Sequence, residues 1–76
     1  MTELPSLMHV RQANNLTSRQ LADAAGVPLR VEYLAEIGGR VEETEVSLLL
    51  EALSKLTGNQ YTLQNVQINV RRGQPV

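Results

Sequence analysis

The stretch LTSRQLADAAGVPLRVEYLAEIGG, residues 16–39, constrains this chain more than any other, because start, hinge and exit signals fall in it at the spacing of two short helices. The Thr17 hydroxyl can accept from backbone N–H groups left unpaired in an opening turn, and Gln20, three residues on, can reach back to form a capping box. Leu16 before the cap and Leu21 in the second turn suit a hydrophobic staple that sets the angle at which the chain comes in. A helix through Leu21, Ala22 and Ala25 is expected to stop at Gly26, which takes a left-handed backbone without a Cβ clash. Pro28 suits the first turn of a second helix, where its missing N–H has no partner to lose, and Gly38-Gly39 ends that helix. Small Ala22 and Ala25 let the two helices cross closely at a steep angle, as a helix-turn-helix requires.

The surrounding chain supplies the body that would carry this unit. Leu7, Val10 and Met8 are the inward residues of a first helix over Leu4–Asn14. Thr44 or a neighbour starts the longest helix, where Val46, Leu49, Leu50, Leu53 and Leu56 recur at three- and four-residue intervals until Gly58 stops it. Glu45 near its beginning and Lys55 near its end complement the helix dipole. Leu48 and Ala52 widen the stripe enough to face a second chain as well. After Asn59 the period changes to two: Val66, Ile68 and Val70 alternate with Gln67 and Asn69, led in by Tyr61-Thr62-Leu63, as in a half-buried strand. No other segment reads as a strand, and a lone strand leaves its backbone groups unpaired. Val66, Ile68 and Val70 are therefore expected to pair, most simply antiparallel, with the same residues of a second copy in a homodimer. The organisation predicted is a helical domain over 1–60, a dimerisation strand over 61–72 with Arg71-Arg72 at its end, and a flexible tail over 73–76.

Composition narrows the function. A unit of 76 residues is one domain that buries only ~60% of its unfolded surface, so it gains from a partner. With two tyrosines and no Trp or Phe, the core must be Leu, Val, Ile and Ala. Zero cysteines exclude disulfides, thiolate chemistry and cysteine zinc sites, and fit a reducing, cytoplasmic setting. No apolar run approaches the ~18 residues of a membrane span and no leader opens the chain, so a soluble, non-exported protein without membrane contact is expected. One histidine, His9, has no partner at metal-ligand spacing. Glu42, Glu43 and Glu45 read as a solvated, dipole-compatible helix start before they read as a cation site. Gly38-Gly39 lacks the lysine and hydroxyl of a phosphate loop, so neither catalysis, a metal nor a cofactor is expected. Net charge is −1, with seven basic residues against eight acidic ones, which gives no overall pull toward nucleic acid. If Arg19, Arg30 and Arg40 converge they make a local basic patch; otherwise they are scattered solvated arginines.

The residues Leu16-Thr17, Ala22, Ala25-Gly26-Val27 and Glu36-Ile37-Gly38 resemble the phage-repressor-like helix-turn-helix regulators of the Cro and lambda-repressor type, over roughly residues 6–58. AGVPLRVEYLAEIGG also looks like the start of the MerR-type winged family, but a helix upstream of the motif suits the phage-repressor arrangement better. The resemblance implies a mostly α, four-helix lambda-repressor-like DNA-binding domain, here with its C-terminal strand paired across a dimer. One departure bears on the site: where that family places branched apolar residues this chain has Glu32 and Ala35, with Val31 and Leu34 one position early. That predicts a second motif helix rotated or shortened at its start. At about 100° per residue Val27, Val31, Leu34 and Ala35 then face inward, Leu29, Tyr33 and Ile37 flank them, and Pro28, Glu32 and Glu36 point out.

Two functions follow. In the first, a dimeric transcriptional regulator, or a DNA-binding antitoxin, sets two motif helices into successive major grooves of double-stranded DNA. Thr17, Ser18 and Arg19 would hold the backbone, Leu29, Arg30 and Glu32 would lie near base edges, Tyr33 would offer its hydroxyl to phosphate or cover the core edge, and Arg40 would complete the basic patch. In the second, the same fold does not bind DNA and uses the acidic outward face of Glu32 and Glu36 toward a basic protein partner.

Overall fold

The computed structural model describes residues 4–71, which are mostly helical. Four helices, α1 (Leu7–Ala13), α2 (Ser18–Ala25), α3 (Leu29–Glu36) and α4 (Glu43–Thr57), are joined by two short strands, β1 (Val41–Glu42) and β2 (Val70–Arg71). Helix α2 lies at the centre, packed on α4 and on α3.

Each helix end has a local cause. Ser6 caps α1 by accepting from the His9 N–H at 3.1 Å. At α2 the full capping box forms: Thr17 Oγ1 accepts from the Gln20 N–H at 3.0 Å, and Gln20 Oε1 accepts from the Thr17 N–H at 2.8 Å. Thr17→Ala should therefore lower stability by about 1 kcal/mol, read as a fall in the thermal midpoint. Gly26 ends α2 at φ 73° and Gly58 ends α4 at φ 77°, the left-handed caps that their positions predict. Pro28 stands one place earlier than expected: it precedes α3 in extended conformation, and its carbonyl accepts from the Val31 and Glu32 N–H groups. Helix α4 opens at Glu43, with Glu43 and Glu45 in its first turn and Lys55 in its last.

The core is aliphatic. Leu7 and Val10 of α1, Leu21, Ala22 and Ala25 of α2, and Val46, Leu49, Leu50, Ala52 and Leu53 of α4 are buried. Met8 and Leu56, expected inside, are exposed. Helix α1 has seven residues and buries only the Leu7 and Val10 side. Leu56 shares Leu49's side of α4 but falls in the last turn of a fifteen-residue helix whose neighbours α2 and α3 have eight each.

The C-terminal segment departs most from expectation. Val66 and Ile68 are buried in the chain's own core, and Val70 packs against it. Strand β2 pairs in parallel with β1, Val41 opposite Val70 and Glu42 opposite Arg71, and the Val41 N–H donates to the Asn69 carbonyl at 3.0 Å. The segment also reaches the start of the chain: the Gln67 N–H donates to the Pro5 carbonyl at 2.9 Å, in a parallel bridge of Ser6 with Gln67. The Ser54 hydroxyl accepts from the Tyr61 N–H at 2.9 Å and fixes the turn out of α4. The expectation of a lone strand whose Val66, Ile68 and Val70 meet a second copy is thereby corrected: Val66 and Ile68 precede β2 and are buried in their own core, and Val70 pairs with β1 within one chain. A two-residue strand such as Val41–Glu42 has no period by which the sequence could reveal it. Arg72 and the expected tail over 73–76 lie outside the described residues.

Candidate functional site

The α2–α3 unit carries the residues singled out for function, and α3 takes a different face from the one its apolar spacing predicts. Glu32 is fully buried and Ala35 is buried beside it, whereas Leu34 is 40% exposed, Tyr33 51% and Ile37 76%. Val31 and Leu29 are half-buried at the edge of the core. The expected outward placement of Glu32 and Glu36 is thus reversed, and so is the inward placement of Leu34.

Arg11 explains the reversal. From α1 its Nε donates to Glu36 Oε2 at 2.8 Å and its Nη2 to Glu36 Oε1 at 3.1 Å, a two-pronged pair whose side chains are 13% and 4% exposed. Its remaining Nη1 donates to the Leu16 carbonyl at 2.8 Å, so one guanidinium ties α1, the turn before α2, and the end of α3. The Ser18 hydroxyl adds a third bond to Glu36 Oε2 at 3.1 Å. Residues four apart share a helix face, so once Glu36 is drawn in, Glu32 goes in with it.

The two carboxylates then differ sharply. Burial opposes the charge on Glu36, but hydrogen bonds from Glu32, Arg11 and Ser18 outweigh it and hold its carboxyl below the ordinary range. Bonding to Glu36 likewise raises the Arg11 pKa. Neither carboxyl oxygen of Glu32 meets a protein donor. Burial first, and the neighbouring Glu36 second, push the Glu32 carboxyl up to about 8. At neutral pH Glu32 is therefore mostly a neutral acid whose own O–H can donate to the Glu36 carboxylate.

The remaining predicted contacts divide by accessibility. Arg19 in the first turn of α2, Arg30 in the first turn of α3, Tyr33, and Arg40 after the Gly38-Gly39 turn are exposed. Thr17 is exposed but holds the capping box, and Ser18 is half-buried with its hydroxyl on Glu36. Leu29 lies against the core edge, and Glu32 cannot reach a base from inside it. Leu34 and Ile37, not counted among the site residues from sequence, stand outward on and just after α3. The signal that could have placed them was the Glu32, Glu36 pair one turn apart together with Arg11 on α1.

A cleft of about 230 Å³ lies between the α3 exit and the C-terminal segment, lined by Ser6, Glu36, Ile37, Gly38, Gln67 and Asn69. Its only carboxylate, Glu36, is already held by Arg11 and Ser18. Among the described residues no group of three or more His, Cys, Asp or Glu could hold a metal ion, and no helix is long and apolar enough to cross a membrane. Comparison with protein-family models, curated proteins and solved structures finds no match for the chain.

Proposed function

We propose that this protein is a small cytoplasmic transcriptional regulator that binds double-stranded DNA through the outward faces of α2 and α3. The observation that carries this reading is the withdrawal of Glu32 and Glu36 into the protein. Two outward carboxylates would be repelled by phosphates; with both turned in, the outer side of α3 offers Arg30, Tyr33, Leu34 and Ile37. An arginine can pair with the major-groove edge of guanine, and aliphatic side chains can pack on thymine methyl groups. Arg19 at the start of α2 and Arg40 beyond α3 are suited to phosphate contacts that fix the register. The reading includes a homodimer on two half-sites about one helical turn apart. With the C-terminal segment committed to its own chain, exposed Leu48 and Leu56 of α4 are the apolar residues available for that contact.

Capture of fragments from the source genome at ~50 and ~200 mM salt tests the proposal, since phosphate contacts make affinity fall steeply with salt. Selective, salt-sensitive capture is expected, and Arg30→Ala should weaken the selected complex by about 1–3 kcal/mol while relaxing preference at one base position. No capture at the lower salt would turn the reading to a protein-interaction module. Exposed Leu34 and Ile37 favour an apolar partner surface for such a module, in place of the basic partner that an acidic α3 face would have suited.

A further inference from the structure

We propose that Glu32 and Glu36 share a single proton that seats α3 on the body of the domain, and that losing this proton unseats α3. The inference does not depend on DNA binding; it rests on the count of charges and donors around one buried carboxyl.

Glu32 faces Glu36 on its own helix, Arg11 from α1 and the Ser18 hydroxyl from α2. Tyr33, half-exposed on α3, acts on Arg11. The buried face of α4 is Val46, Leu49, Leu50, Ala52 and Leu53, and that of β1 is Val41, all apolar. Arg11 is the one cation within this set, and each of its three nitrogens already donates, Nε and Nη2 to Glu36 and Nη1 to the Leu16 carbonyl. Two carboxylates against one guanidinium leave a net negative charge where Glu32 is fully buried and the Glu36 side chain nearly so, which a proton cancels.

With the proton in place Glu32 is neutral and donates to Glu36. Without it, both Glu32 oxygens are charged and buried with no hydrogen bond, the nearby Arg11 and Ser18 donors being turned to Glu36. Helix α3 is the element able to yield: it has eight residues, its first turn has no side-chain cap, and its last residue is followed by Ile37 and by Gly38 at φ 85°. Half-buried Val31 and exposed Leu34, each one position before Glu32 and Ala35, supply apolar side chains that could take the vacated places if α3 turns.

The direction of the pH dependence is fixed. Glu32 holds its proton more tightly in the folded chain than in the unfolded one, so its stabilising contribution is complete below the ordinary glutamate range and is lost as pH rises through about 8. The unfolding equilibrium constant should grow about a hundredfold between pH 6 and pH 9. In Glu32→Gln, whose amide can donate to Glu36 at any pH, it should change less than about threefold over the same range. Urea titrations of the two proteins at these pH values read both quantities. A ¹³C titration of the wild-type glutamate carboxyls provides a check that needs no variant: one carboxyl should titrate well above the others, with α3 amide resonances moving alongside it and those of α4 staying in place. Equal pH dependence in the wild type and Glu32→Gln, or every glutamate carboxyl titrating below pH 6, overturns the proposal.

Discussion

Replacing Arg11 with methionine is expected to destabilise the domain by about 3–5 kcal/mol, the cost of breaking a buried ion pair from one side. Methionine keeps most of the apolar stem, so the loss falls on the guanidinium and its bonds to Glu36 and to the Leu16 carbonyl. Both buried carboxyls then lack a cation. At roughly 0.05–0.15 kcal/mol per residue a domain of this length has about 4–11 kcal/mol in all, so the variant should lose a large share of its stability. Chemical denaturation followed by circular dichroism measures the change. The triple variant Arg11→Met, Glu32→Ile, Glu36→Leu should recover much of the loss, because apolar side chains of similar volume replace a buried ionic cluster at little net cost. A loss of under ~1 kcal/mol in the single variant would mean that the pair behaves as an ordinary surface salt bridge.

Val66→Asp should be comparably severe. Val66 is fully buried in the chain's own core, so an aspartate there must either leave the interior with its segment or remain without a partner, at several kcal/mol. The defect should not depend on protein concentration. Were Val66 instead a residue of a strand pair between two copies, the same substitution would release a folded monomer. Leu48→Asp is the matching control: it lies on the exposed side of α4, so stability should stay within about 0.5 kcal/mol while any self-association mediated by that face is lost. Sedimentation and thermal melting of the two variants together separate folding from assembly.

What could be read from sequence was what nearby residues decide. Thr17 with Gln20, Gly26 and Gly58 each act within a turn of themselves, and each took its expected conformation. The α4 stripe was legible because its period repeats over four turns, and it erred only in its last turn at Leu56. Helix α3 was misread because its apolar count favours Val31 and Leu34, while the decisive partner of Glu36 stands 25 residues away on α1. The alternation of Val66, Ile68 and Val70 correctly marked residues that share a buried side, yet alternation carries no word on whose core receives them. That depended on Val41 and Glu42, a pair too short to declare itself. The exposure of Arg30, Tyr33, Leu34 and Ile37 follows from the same distant contact, so the surface of the site was no more readable than Arg11's partner.

The ties from Gln67 to Pro5 and from β2 to β1 set the order in which the chain can finish folding. Contacts between α2 and α3 close short loops and reward ordering early, whereas a contact joining residue 5 to residue 67 carries the entropy of nearly the whole chain. During synthesis the helices can condense as they emerge, but the places of Val66 and Ile68 stay empty until the segment after α4 is made. A nascent chain halted after α4 should therefore be helical yet readily cut by protease, and resistance should arrive in a single step once Val66 to Arg71 can dock.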